Sequence, residues 1–211
     1  MKVLLVGATG MIGSRVAAEL VRRGHEVTGV SRQGSAAPGT TAAKGDAADT
    51  ARIAELAKGK DAIVMAISPP RDGSEPAGPT LAAGRSLLDA ARQAGVRRVI
   101  MVGGAGSLET SPGVRLVDSP DFPDGYKKEA LAHAGLLEAV RAEAGDLDWT
   151  YISPAATIAP GERTGSYRTG GDEFFTDADG KSFITAEDYA VGLVDELEQS
   201  KAVGRRISFG Y

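Results

Sequence analysis

The chain has no cysteine among its 211 residues and only two histidines, His25 and His133. Without thiols it can form no disulfide, offer no thiolate to a metal and use no cysteine nucleophile. Two imidazoles are too few for a His-rich metal centre. Aromatic residues are scarce, at 5% with one tryptophan, and no apolar run approaches a membrane-spanning length. Neither sign of charge dominates: 24 basic against 28 acidic side chains leave −4. That balance gives a nucleic-acid backbone no electrostatic footing. Neither a nucleic-acid nor a membrane partner is therefore expected. Met1 leads straight into an apolar segment with no leader pattern, so a cytoplasmic protein is the expectation.

What is present is ordinary in proportion, 42% apolar and 25% charged. A chain of this length suits one domain with a sizeable core, here residues 1–211. Glycine is abundant, with 28 residues, and the first few are placed informatively. Lys2 to Val6 is a short apolar run that reads as a buried parallel strand. Gly7-Ala8-Thr9-Gly10-Met11-Ile12-Gly13 follows, and then Ile12, Val16, Leu20 and Val21 recur at helical spacing. Gly24 closes that helix, and His25 to Val30 reads as a second strand. Strand, glycine turn, helix and strand in this order are the context a dinucleotide-binding glycine motif requires. Gly7 lets the chain turn sharply, Gly10 leaves room for a pyrophosphate, and Gly13 lets the helix pack close to the sheet. The helix start then offers unsatisfied N–H groups and a positive dipole end to the phosphates. The spacing is G-x-x-G-x-x-G, not the G-x-G-x-x-G of many dehydrogenases.

An acidic residue at the end of the second strand would bind the ribose hydroxyls of NAD. This chain has Val30-Ser31-Arg32-Gln33 there. Arg32 suits a 2′-phosphate and Ser31 can add a hydroxyl, which favours NADP(H), with NAD(H) still possible. The alternative is that Arg32 is a solvated loop arginine.

Further on, strand and helix patterns alternate, as in a doubly wound parallel α/β sheet. Strands are expected at Thr41 to Lys44, Asp61 to Ile67, Arg97 to Gly103, Leu147 to Ser153 and Arg205 to Phe209. Helices are expected at Thr50 to Ala57, Pro79 to Ala94, Tyr126 to Ala144 and Ala186 to Leu197. Ser68-Pro69-Pro70-Arg71-Asp72-Gly73 and Gly104 to Gly125 read as loops, and residues 154–211 as a small substrate-side part. Ligands of such sheets sit at the carboxyl ends of the strands. The expected pocket is thus lined by Gly7 to Gly13, Ser31, Arg32, Asp46, Ile67, Ser68, Pro69, Gly103, Gly104 and on to Ser107, and Pro154 to Thr157. Asp46 can accept from the adenine amino group or serve as a turn cap.

GATGMIG at 7–13, Ser31-Arg32, Gly45-Asp46, VGGAGSLE at 102–109 and LDWTYISPA at 147–155 resemble the atypical short-chain dehydrogenase/reductases. The segments PGVRLVDSPDFP (112–123), PGERTGSYRTGGDE (160–173) and EDYAVGLVDELE (187–198) narrow this. They resemble bacterial NAD(P)H-binding proteins described as putative NADH-flavin reductases, a group similar to flavin/biliverdin-IXβ reductase. The resemblance spans nearly the whole chain and implies a Rossmann fold, a nicotinamide cofactor and a cytoplasmic protein.

One departure bears on chemistry. Short-chain dehydrogenases use a Tyr-x-x-x-Lys pair as acid/base. Tyr126 is followed four residues on by Ala130, Tyr151 by Ala155 and Tyr167 by Gly171. The remaining expectation is hydride transfer to an acceptor needing little help, such as a flavin bound as substrate. Ser107 and His133 are candidate catalytic groups, each also readable as structural, a turn serine and a helix-surface histidine. Lys128 is a candidate ribose or phosphate contact, or a solvated helix lysine. Arg163, Tyr167 and Arg168 are candidates for holding a planar anionic substrate on a flap, Pro160 to Gly171, or the arginines are loop residues paired with Glu162 or Asp172. Monomer and homodimer both remain open. The competing functions are a non-catalytic NADP(H)-sensing regulator and a sugar-nucleotide epimerase or dehydratase.

Overall fold

The computed structural model describes residues 1–35, 37–69 and 73–211. It is an α/β structure around one eight-stranded sheet. The strands are β1 (Lys2–Val6), β2 (Glu26–Ser31), β3 (Thr41–Lys44), β4 (Ala62–Met65), β5 (Arg98–Val102), β8 (Asp148–Ser153), β10 (Arg168–Gly170) and β12 (Arg205–Gly210). Their order is β10-β12-β8-β5-β4-β1-β2-β3, and every neighbouring pair is parallel except β10 with β12. β1, β4 and β5 are apolar runs because both their faces are covered. Alternate side chains feed two cores: Val3 and Leu5 face one, Leu4 and Val6 the other.

The first core is closed by α1 (Met11–Arg22) and α5 (Ala186–Gln199), through Val16, Leu20, Tyr189 and Leu193. The second is closed by α2 (Thr50–Ala57), α3 (Ala77–Ala94) and α4 (Asp124–Glu143), through Ile53, Leu87 and Leu136. Among the described residues no helix is long and apolar enough to cross a membrane. From β1 the chain builds outward to β2 and β3, then returns to add β4, β5, β8 and β12 on the other side. The direction of winding reverses between β1 and β4, which opens the crevice where such sheets take ligands.

The C-terminal residues, expected as a small substrate-side part, add strands of their own. β9 (Thr157–Ala159) pairs with β11 (Phe183–Thr185), and β10 extends the main sheet antiparallel to β12. The expected loop from Gly104 to Gly125 holds a hairpin of β6 (Glu109–Ser111) and β7 (Val114–Arg115) and a 3-10 turn, Leu116–Asp118. These strands are two or three residues long and partly exposed, too short for an alternating pattern to show.

α1 and α5 lie side by side and are joined by ion pairs, Arg15 to Glu187 at 3.0 Å and Arg23 to Asp195 at 2.7 Å. Glu19, with 4% of its side chain exposed, receives Arg22, Arg23 and Arg163. Burial alone would raise its pKa, but the hydrogen bonds from Arg22, Arg163 and Arg23 outweigh it and hold the carboxyl far below the usual range. Because the folded value lies below the unfolded one of about 4.3, this stabilisation is complete above that pH and is lost as pH falls. Glu19→Gln should lower stability at pH 7 by about 3 kcal/mol, as breaking a buried ion pair does. The gap from wild type should narrow by about 1.4 kcal/mol per pH unit below pH 4. Denaturant melts at pH 7 and pH 3 check this; a gap that does not change with pH contradicts it.

Candidate dinucleotide site

The glycine turn is built by backbone contact. Gly7 has φ +89°, a left-handed conformation that favours glycine, and a Cβ there would lie 2.4 Å from the Ala66 carbonyl oxygen. Its N–H and that of Ala8 donate to the Val30 carbonyl at 3.0 and 3.3 Å, tying the turn to β2. A Cβ on Gly13 would lie 2.0 Å from the Gly7 carbonyl oxygen, so α1 rests directly on the turn. Gly10 is different: it is exposed, and a Cβ would find nothing nearer than the Gly7 oxygen at 3.5 Å. Gly10 is the residue before α1, and no side chain caps that helix start. A side chain at Gly10 would therefore fill open space above the helix N-terminus. This is the arrangement a pyrophosphate needs, with free N–H groups, a positive dipole end and no Cβ in the way. Thr9 and Met11 are exposed beside it, and Ile12 packs partly on the core. Ala8 is turned inward: its methyl is fully buried against Gly29, so it can offer a ligand only backbone.

At the end of β2, Ser31 Oγ accepts from the Ser35 N–H at 2.8 Å and donates to the Ser35 carbonyl at 3.1 Å, closing a local turn. Arg32 is exposed and forms no ion pair among the described residues. Lys44, which the sequence reading did not single out, is exposed in register with Ser31 on β3 and likewise has no ion pair among the described residues. Only the register between β2 and β3 reveals that second cation. Asp46 Oδ1 accepts from the Ala48 N–H at 2.9 Å, a turn cap that leaves its other oxygen available. Ile67 is half-buried and Ser68 exposed past β4; Pro70, Arg71 and Asp72 of the expected loop lie outside the described residues.

The ends of β5 and β8 are organised by an aromatic ring. A Cβ on Gly103 would lie 1.9 Å from the Tyr151 ring, and one on Gly104 3.1 Å from His133 Cβ. Both glycines are thus needed by packing, whatever their backbone offers a ligand. Tyr151 is fully buried and donates to the His133 carbonyl at 2.8 Å; burial pushes its pKa well up, so it is no acid or base. Of the two readings of His133, catalytic group or helix-surface histidine, the second does not hold. The residue is buried, because Ala130, His133, Ala134 and Leu137 form the inward stripe of α4. Ser107 is half-buried and receives the Arg206 guanidinium at 3.3 Å, while Pro154 is buried at the end of β8. Lys128 pairs with Glu75 at 3.2 Å, both exposed.

The expected flap is not a flap. Arg163 makes two hydrogen bonds to Glu19, at 2.9 and 3.1 Å. Glu19 lies about 12 Å along α1 from its start at Met11. Thr164 and the Gly165 N–H are held by Asp188. Tyr167 donates to Asp195 at 2.6 Å and packs edge-on to Phe209. Arg168 stacks over Phe175 and donates to the carbonyls of Thr176 and Tyr211. The segment is fastened across the α1–α5 face and into the sheet edge, and its arginines pair with the protein; the partner of Arg163 is Glu19, not the Glu162 or Asp172 of the alternative reading. A shallow hollow there is lined by Arg15, Arg22, Arg163, Glu19 and Glu187, whose charges pair with one another.

Gly7 to Gly13, Arg32, Asp46, Ile67, Gly103 to Ser107 and Pro154 thus lie along one edge of the sheet, and residues 7–200 match the NAD(P)H-binding family. The chain belongs to that family. A solved structure of a putative exported protein from Burkholderia pseudomallei is 47% identical and superposes with a TM-score of 0.92, each chain covered in full. A putative NADH-flavin reductase from Streptococcus pneumoniae is 34% identical with a TM-score of 0.86, covering 100% of this chain and 99% of that one. A putative epimerase from Bacteroides thetaiotaomicron is 36% identical with a TM-score of 0.90, covering 100% of this chain and 96% of that one. The uncharacterised protein YwnB of Bacillus subtilis is 35% identical, covering 99% of this chain and 97% of its own. The atypical dehydrogenase/reductase kinship read from the sequence agrees with these relatives.

For this NAD(P)H-binding protein, Gly10→Val and Gly13→Val should fail in different ways. Gly10→Val should fold, with a normal circular dichroism spectrum, yet lose at least about tenfold in NADPH affinity, more than 1.4 kcal/mol. Gly13→Val should lose stability, since the turn and α1 must separate to admit a Cβ. Melting curves and cofactor fluorescence titrations distinguish the two.

Proposed function

We propose that the protein is an NADPH-preferring reductase that passes hydride to a flavin or similar planar acceptor taken up as substrate. The observation that carries this is the uncapped start of α1 at Gly10 beside Arg32, a cation without a partner among the described residues and with no carboxylate next to it. In this reading the N–H groups of α1 hold the pyrophosphate, Arg32 and Lys44 hold the 2′-phosphate, and the free oxygen of Asp46 accepts from adenine. The backbone of Gly103 and Gly104, with Pro154, lines the nicotinamide end. When bound, the dihydronicotinamide supplies a hydrogen together with its electron pair. The chain's contribution is orientation, two flat rings held in contact at the carboxyl edge.

The acceptor follows from what the site lacks. Tyr126 is exposed at the start of α4, but Ala130, four residues on, is packed against Gly106, where a Cβ would lie 2.6 Å from the alanine methyl. No lysine fits there to assist a tyrosine, and Tyr151 is locked in the core. An alcohol, a ketone or a sugar-nucleotide epimerisation would need that acid/base group; a flavin takes its proton from solvent. The name of the pneumococcal relative supports the flavin reading, and that of the Bacteroides relative the less favoured epimerase. We take the protein as one domain, residues 1–211, working in the cytoplasm.

A charge-assisted contact to phosphate contributes roughly 1.5–3 kcal/mol, on the order of ten- to a hundredfold in affinity. Wild type should bind NADPH that much more tightly than NADH, and Arg32→Ala should remove most of the difference. Equal dissociation constants in the wild type would refute the preference. Tight NADPH binding without reduction of any flavin or quinone would favour the NADP(H)-sensing regulator.

A further inference from the structure

Arg206 is a buried cation that the glycine-motif reading does not touch. It sits on β12 in register with Tyr151, and 1% of its side chain is exposed. Its five N–H groups are all engaged. Nε donates to Asp172 at 2.6 Å; Nη1 to Ser107 Oγ and Ser153 Oγ, both at 3.3 Å; Nη2 to the carbonyls of Ser107 and Asp172, at 3.3 and 3.2 Å. Asp172 also receives Arg141 at 2.6 Å, so the two guanidiniums and one carboxylate leave an excess positive charge. Stability alone does not call for such a cation, since a buried ion pair gains little over well-packed apolar groups.

The consequence falls on Ser107. A hydroxyl has one proton and two lone pairs, and a guanidinium can only donate. Arg206 therefore occupies a lone pair of Ser107 and cannot receive its proton. No acceptor for that proton is present among the described residues. Ser107 is half-buried in the loop past β5, at the carboxyl edge, with its backbone carbonyl held by the same guanidinium.

We propose that Arg206 is a positioning residue that fixes Ser107 as a hydrogen-bond donor into the acceptor site, and that the acceptors are therefore conjugated rings that turn anionic at oxygen or nitrogen when reduced. This rests on the reductase reading above. In the reaction the acceptor gains a hydrogen and both electrons of the C4–H bond that breaks in the dihydronicotinamide, which is left oxidised by two electrons. Negative charge spreads onto the acceptor's conjugated oxygen or nitrogen until solvent delivers a proton. A serine donor backed by a buried cation stabilises that charge as it develops. Isoalloxazines and quinones fit this class; simple ketones, whose product alkoxide needs a proton at once, do not.

The test is a double-mutant cycle on the full chain, with NADPH and either riboflavin or menadione. Ser107→Ala and Arg206→Lys should each lower kcat about tenfold or more and leave NADPH affinity unchanged. The double variant should be no slower than the worse single one, because Arg206 acts through Ser107. If Arg206→Lys melts too early to assay, Asp172→Asn serves in its place: it frees the guanidinium, and its loss of kcat should vanish in the Ser107→Ala background. Losses that multiply, or a Ser107→Ala variant as fast as wild type, overturn the proposal while the reductase reading stands. A wild type that binds NADPH and reduces neither acceptor overturns both.

Discussion

The carboxyl edge of this molecule depends on one contact between backbones. The Gly7 carbonyl lies where a Cβ on Gly13 would be, so α1 can start only as close to β1 as two glycines allow. That approach brings the α1 N-terminus over the gap between β1 and β4, where the sheet's winding reverses. The same turn is tied to β2 through the Val30 carbonyl, which fixes Arg32 beside it. Shifting Gly13 outward by the width of a methyl group would move the helix dipole, the open Gly10 and the β2 cation apart together.

The rest of the molecule is arranged to hold this edge still. α1 is clamped to α5 by Arg15 on Glu187 and Arg23 on Asp195, and Arg163 closes over Glu19 from the C-terminal segment. On the other face Tyr151 fills the space that Gly103 leaves at the end of β5, and His133 packs beside Gly104. Arg206 reaches from β12 to the loop past β5 and joins it to Asp172. A ligand at the edge would then meet positions set by packing on both faces, which is the condition for catalysis by orientation.

The glycine turn and the central strands were legible because their chemistry is local. Gly7, Gly10 and Gly13 act within seven residues, and β1, β4 and β5 are plain apolar runs. Thr50–Ala57 was read to the residue, and in the structure the Asp49 carboxylate caps its start by accepting from the Arg52 N–H. What stayed hidden depends on distant pairings. Nothing near Lys44 says that it stands beside Ser31, and nothing near Arg206 says that it holds a serine 99 positions away. Arg163 and Tyr167 carry groups that suit an anionic ring, but Glu19 and Asp195 already use them. His133 was read as exposed because a polar residue usually is. It lies on the stripe with Ala130 and Ala134, small residues that let α4 sit close to the glycines past β5.

In the proposed binding mode one dinucleotide spans the switch point, from Arg32 and Lys44 across Gly10 to Gly103 and Gly104. A crystal structure of the protein with NADP⁺ tests it most directly. The pyrophosphate should lie against the N–H groups at the start of α1, the 2′-phosphate within hydrogen-bond distance of Arg32, and the nicotinamide over Gly103 and Gly104. A cofactor seated elsewhere, with Gly10 uncovered or with Arg32 turned to solvent and the 2′-phosphate unheld, would contradict it.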